Sequence, residues 1–194
     1  GRAGAGTRGR GRSGRRDGQD GRLLDSRGGC RGIGSMVVQL GEESQAGAGW
    51  DKLIHERVPH LVDNTVPFFS VDTLEYLRRG GRIGRITALA GTMLSIKPII
   101  TFSEDGQLQS IAKVRGRKQV QDKIVELLRS KFRAGKRYNL GVANGGAPAE
   151  MAELSEKIRA RFPDFVHCWE GAMDATLSVY IGDGVIGGGI QFID

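Results

Sequence analysis

The stretch DTLEYLRRGGRIGR, residues 72–85, packs a helix start, two apolar positions at turn spacing, a paired-glycine stop and four arginines into fourteen residues. Asp72 with Glu75 three residues later has the spacing of a capping box, and Val71 with Tyr76 that of a hydrophobic staple. Leu74 and Leu77 then face a core, and Gly80–Gly81 ends the helix because a left-handed residue is cheapest as glycine. Arg78, Arg79, Arg82 and Arg85 are not explained by this punctuation. Cations near a helix C-terminus are favoured by its dipole; clustered guanidinium groups also suit a phosphate or an acidic partner surface. Lys113, Arg115, Arg117 and Lys118 in KVRGRK repeat the question at the next junction. Spacing alone leaves both readings open.

Working outward, the chain alternates between two periods. On the N-terminal side, RLLDS (22–26) predicts a strand end, and GIGSMVVQLGEESQAG (32–47) a buried helix weakened by its glycines. WDKLIHERVPHLV (50–62) has helical spacing interrupted by Pro59, and VPFFSV (66–71) predicts a buried strand. On the C-terminal side, KPIITF (97–102) and LQSIAKV (108–114) flank SEDG as an antiparallel hairpin. KQVQDKIVELLRSKF (118–132) is an amphipathic helix through Val120, Ile124, Leu127 and Leu128. RYNLGVAN (137–144) is a strand. PAEMAELSEKIRARF (148–162) starts with Pro148 in the first turn and carries Met151, Leu154 and Ile158 on one stripe. DFVHCW (164–169) and GGIQFI (188–193) predict two closing strands. The expected fold class is α/β, a sheet with helices packed on it.

Charge divides the chain unevenly. The net charge is +7, yet residues 1–22 carry seven arginines against two aspartates, leaving 22 basic and 20 acidic side chains elsewhere. A general nucleic-acid footprint on the folded part is therefore not expected, since phosphate binding needs clustered, uncompensated cations. The leader GRAGAGTRGRGRSGRRDGQDGR has almost nothing to bury and is expected to be disordered. It reads either as a Gly/Arg-rich RNA-binding arm or as a non-native leader. Cys30 and Cys168 offer no disulfide framework, which points to a reducing, cytoplasmic setting. No apolar run reaches membrane-spanning length.

Motifs for chemistry are scarce. Two G-x-G-x-x-G strings, at Gly9–Gly14 and Gly182–Gly187, lack the strand–turn–helix context of a dinucleotide site. Asp174 and Asp183 in glycine-flanked loops read as turn formers, and His167 as a strand histidine without a partner at metal or triad spacing. No metal and no cofactor are implied, and nothing demands an enzyme.

VDTLEYLRRGGRIGR followed by ITALAGTMLSIKPIITFSEDGQLQSIAKVRGRKQV resembles the DegV family of bacterial fatty-acid-binding proteins. Gly80–Gly81–Arg82–Ile83, Lys97–Pro98–Ile99 and Arg115–Gly116–Arg117 carry the likeness, which extends back to LLDSRGGCRGIGSMVVQL and covers roughly residues 22–194. The resemblance implies two α/β domains with a fatty acid in the tunnel between them. It implies a non-catalytic carrier that presents the acyl carboxylate to a separate fatty-acid kinase for acyl-phosphate formation. On that basis residues 1–21 are a leader, 22–71 a remnant of the first domain, and 72–194 a complete C-terminal domain.

The family's Thr and Ser carboxylate donors fall upstream of this sequence, so weak ligand binding is expected. The family pattern His-Thr-Gly-Pro-Gly reads here as Tyr180–Ile181–Gly182–Asp183–Gly184. The resemblance makes Arg82, Tyr180, Gly182 and Gly184 ligand-binding candidates, and Arg82, Arg85, Arg115 and Arg117 partner-docking candidates. ITALAGTMLSI (86–96) reads as the wall of an acyl channel or as an ordinary core helix.

Overall fold

The computed structural model describes residues 12–16, 19–26, 30–89 and 95–194. Within them a six-stranded sheet runs in the order β5-β4-β3-β8-β6-β7. Its strands are β3 (Thr65–Ser70), β4 (Ile96–Phe102), β5 (Leu108–Arg115), β6 (Tyr138–Gly145), β7 (Cys168–Ala172) and β8 (Val185–Phe192). β6 and β7 pair in parallel and the other neighbours are antiparallel. β3 pairs with both β4 and β8, so the expected boundary at residue 72 falls between the middle of this sheet and the strands beside it.

One face of the sheet is covered by α5 (Lys118–Lys131) and α6 (Pro148–Arg161). Val120, Ile124 and Leu128 from α5, and Leu154 and Ile158 from α6, are fully buried. They meet Phe68, Leu140, Val142, Ile186, Ile190 and Phe192, which point to that face from alternate positions of β3, β6 and β8. The helical stripes and the strand alternation were both expected, and they share one core.

Among the described residues, the opposite face is covered at its two ends. At one end lies α1 (Cys30–Gln45) with the helical run α2 (Trp50–Lys52), a π-helical turn (Leu53–Arg57) and α3 (Val58–Asp63). Pro59 does not interrupt this run. The Val58 N–H bonds to the Leu53 carbonyl five residues back, and this widened turn takes up the residue whose ring would otherwise crowd the preceding turn. α1 is not buried all round as expected. Met36 and Gln39 face inward, while Ile33, Val37 and Val38 are exposed.

At the other end lie α4 (Glu75–Arg79), a 3₁₀ segment (Gly84–Leu89) and α7 (Ala175–Ile181). The capping box does not form. Asp72 turns away to Lys97, and the Glu75 N–H bonds to the Thr73 hydroxyl, while the Glu75 carboxylate pairs with Arg79. Val71 is buried but Tyr76 is exposed and lies against Gly182, so the staple is also absent. The glycine stop forms as expected. Gly81 has φ +66°, with Gly81 N–H on the Arg78 carbonyl and Arg82 N–H on the Leu77 carbonyl.

The part of the leader expected to be disordered is paired where it is described: β1 (Arg12–Arg16) and β2 (Gln19–Leu23) form an antiparallel ladder apart from the main sheet. Backbone pairing of this kind needs no side-chain core, which is why composition gave no sign of it. RLLDS contributes to β2 rather than to the sheet. The remainder of the leader, and residues 90–94 of ITALAGTMLSI, lie outside the described residues.

Candidate functional site

Between the two covered ends the sheet faces a cavity of about 650 Å³, within the size range of small-molecule sites. Its floor follows from register. Three cross-strand rows lie on this face: Thr65–Gln191–Asn139, Pro67–Gly189–Gly141 and Phe69–Gly187–Ala143. Two of these rows contain glycine, so the backbone itself forms the floor and the space above it stays open. A Cβ at Gly141 would meet nothing within 4 Å, whereas one at Gly188, on the other face, would strike the Ile158 Cδ1 at 2.5 Å. The walls are apolar, with Leu77, Phe102, Leu108, Met173 and Leu177 among the lining residues. Trp169 completes the β7 side, stacked on His167 with ring centroids 5.4 Å apart.

The end of the cavity where β3 finishes and β8 begins carries one cation. The Arg82 guanidinium lies over the Tyr180 ring, 4.5 Å from its centroid, and donates to the Gly80 carbonyl at 2.8 Å. Arg82 is exposed, and among the described residues no carboxylate pairs with it. A guanidinium has five N–H donors, so donors remain for an anion. Tyr180 is held by α7, whose start is fixed by Asp174: its carboxylate accepts from the Leu177 N–H at 3.0 Å. Asp174 is therefore a helix cap rather than a turn former.

The other end of the cavity is also polar. Ser35, Thr65, Asn139 and Gln191 line it, and Asn139 and Gln191 are almost completely buried. Behind them, Gln39 donates to Glu43, which Arg57 holds at 2.6 and 2.7 Å. This ion pair keeps the Glu43 carboxyl below the usual glutamate range. None of these residues stood out in the sequence. Thr65, Gln191 and Asn139 are brought together by lying in one cross-strand row, and α1 sets Ser35 against them.

The other expected site residues are dispersed. Gly182 and Gly184 do not line the cavity. Gly182 sits under the Tyr76 ring, and Gly184 packs on Asp72 with its N–H on the Gly145 carbonyl at 2.6 Å. Arg85 lies near the mouth and pairs with Asp105 in the β4–β5 turn at 2.9 Å. Arg115 is exposed at the far end of β5, about 23 Å along the strand from Leu108. Arg117 pairs with Glu150 at 2.7 Å and approaches Asp72 at 3.5 Å. The arginines are thus two separate groups, one at the mouth and one remote. His167 meets Glu42 at 3.0 Å, joining α1 to the sheet edge.

Among the described residues no group of His, Cys, Asp and Glu is placed to hold a metal ion, and no helix is long and apolar enough to cross a membrane.

Comparison with known proteins agrees with this geometry. The family described as "Uncharacterised protein, DegV family" matches residues 10–192. A DegV domain-containing protein of Clostridium perfringens is 35% identical over 159 residues, 82% of this chain and 56% of the relative. One from Clostridium acetobutylicum is 32% identical over 165 residues, 85% of this chain and 58% of the relative. Among solved structures, a DegV family protein from Thermus thermophilus, described by its fatty acid binding, has a TM-score of 0.81 at 27% identity. That match covers 87% of this chain and 60% of the other. DegV from Bacillus subtilis, described as a fatty acid binding protein, has a TM-score of 0.75 at 26% identity, covering 87% and 59%. The chain spans less than two thirds of the length of each of these relatives. The chain belongs to the DegV family.

Proposed function

We propose that this chain binds a long-chain fatty acid, with the hydrocarbon tail in the cavity and the carboxylate at Arg82, and presents it to a fatty-acid kinase. The observation that carries the reading is the side-chain-free floor of Gly141, Gly187 and Gly189 beneath apolar walls, with a cation at one end that has no acidic partner among the described residues. Each methylene removed from water contributes about 0.8 kcal/mol. An ionised carboxylate leaving water needs a charge-assisted partner, which Arg82 supplies. The relatives described as fatty-acid binding support the ligand class. Arg82 and Arg85, both exposed beside the mouth, are the residues we assign to kinase docking; Arg117 is engaged internally and Arg115 is remote. The role proposed is that of a non-catalytic carrier.

Calorimetric titration with palmitate and oleate tests the ligand. Saturable one-to-one binding with Kd on the order of 10 μM, about −7 kcal/mol, together with a change in Trp169 fluorescence, is the expected result. Absence of saturable binding by either acid overturns the reading. Phosphorylation of the loaded acid by a fatty-acid kinase, reduced by Arg85→Ala, tests the docking assignment.

A further inference from the structure

Resting on that reading, we propose that the cavity end formed by Ser35, Thr65, Asn139 and Gln191 is a second polar subsite that accepts a hydrogen bond from the ligand. The chain then takes an acyl chain bearing a hydroxyl at or near its distal end.

The argument starts from one backbone group. The His167 N–H can only donate, and it reaches the Asn139 side chain at 3.2 Å, so the Asn139 oxygen faces it. The Asn139 amide nitrogen must then face the other way, donating to Gln39 Oε1 at 3.1 Å and Gln191 Oε1 at 3.3 Å. That fixes Gln191 in turn. Its nitrogen donates to Ser35 Oγ at 3.1 Å and Thr65 Oγ1 at 3.0 Å. Both hydroxyl hydrogens are directed to backbone carbonyls, Ser35 to Gly32 at 2.9 Å and Thr65 to Leu61 at 2.7 Å.

All six donor hydrogens of these four side chains are therefore engaged within the protein. Lone pairs remain on Ser35 Oγ, Thr65 Oγ1 and Gln191 Oε1. A wall of acceptors is complementary to a hydroxyl and offers no hydrogen to a carboxylate. The cavity is thus chemically polarised, with a cationic donor at Arg82 and acceptors alone in the opposite set of side chains. A hydrocarbon terminus leaves those lone pairs without a partner when it displaces water; a hydroxyl restores one bond.

The test is a paired ligand series on the unmodified chain: decanoic, dodecanoic, tetradecanoic and hexadecanoic acids, each plain and with a terminal hydroxyl, alongside the matching α,ω-dicarboxylic acids. At the length that spans the cavity, the hydroxy acid is expected to bind about tenfold more tightly than its plain partner, equivalent to about 1.4 kcal/mol. The dicarboxylic acid is expected to bind more weakly than either. In Ser35→Ala and Thr65→Val, the ratio of hydroxy to plain affinity is expected to fall towards unity, a readout that general destabilisation would not produce. Plain acids binding while no hydroxy acid gains at any length overturns the subsite and leaves the fatty-acid reading standing. Dicarboxylic acids binding best overturns the acceptor-only assignment. If no acid of any kind binds, both readings fail together.

Discussion

Arg82 and Tyr180 come from segments almost a hundred residues apart, and the guanidinium of one lies 4.5 Å over the ring of the other. The Schellman turn at Gly81 throws Arg82 out of α4, and the Asp174 cap sets α7 so that Tyr180 meets it. The contact depends on close backbone approach: a Cβ on Gly80 would come within 2.5 Å of the Tyr180 ring. Because Arg82 is exposed, Arg82→Ala is expected to lower the melting temperature by less than about 2 °C. Fatty-acid affinity should fall about tenfold, the loss of one charge-assisted partner. Arg82→Lys should recover only part of it, since lysine keeps the charge but not the planar stack. Titration and thermal melts on the same samples separate the two effects.

Gly141 and Gly188 sit on neighbouring strands and face opposite sides of the sheet. Gly141→Val adds a side chain into open cavity and is expected to leave folding intact while reducing palmitate binding at least about tenfold. Gly188→Ala drives a methyl into Ile158 and is expected to cost about 1–3 kcal/mol of stability. Urea denaturation and ligand titration should therefore give opposite patterns for the two variants. A stability loss for Gly141→Val equal to that of Gly188→Ala would place Gly141 in packed core instead.

The parts of the fold legible in the sequence were those with a strong local period. Val120, Ile124 and Leu128 on α5, and the alternation across β8, point to the helix-covered core without any tertiary information. The glycine stop at Gly80–Gly81 and the β4–β5 hairpin are equally local. ATLSVYI, with its β-branched residues, does not announce α7, and the helix rests on the Asp174 cap and burial of Ile181. The candidate site was half legible. Arg82 and Tyr180 were reached through resemblance. The cavity floor and the polar end depend on the register of β3, β8 and β6, which no single stretch of sequence contains.

Arg115 and Arg117 are two residues apart, yet their environments differ. Arg117 holds Glu150 on α6 and reaches Asp72, tying the start of α5 to two other elements. Arg117→Ala is expected to destabilise the chain by about 1–2 kcal/mol, because Glu150 and Asp72 lose a charged donor. Arg115→Ala should be neutral within about 0.5 kcal/mol, as for an exposed side chain away from special features. Denaturant midpoints measure both. If kinase-dependent phosphorylation responds to Arg115→Ala but not to Arg85→Ala, the docking face lies at the far end of β5 and the assignment to the mouth is wrong.

Glu43 gives the chain an acid-sensitive tie. Its carboxylate accepts from Arg57 Nε at 2.7 Å and Nη2 at 2.6 Å, and the same Nη2 donates to the Ile193 carbonyl at 2.6 Å. The Arg57 hydrogen bonds lower the Glu43 pKa most, opposed by burial and assisted by Gln39 and by the charges of Arg57 and His60. A lowered folded pKa means that the unfolded chain binds the proton more readily, so stability rises with pH across the interval between the two values. The contribution is complete above the ordinary glutamate range and disappears as pH falls through the lowered folded value. Glu43→Gln is therefore expected to cost about 2 kcal/mol near neutral pH, and progressively less on acidification as the parent protein loses the same interaction. Comparing the urea midpoints of the two proteins at several pH values isolates this carboxylate from general acid unfolding. A difference that stays constant as pH falls from neutral to well below the ordinary glutamate range would show that protonation of Glu43 does not govern the tie between α1, the π-helical turn and Ile193.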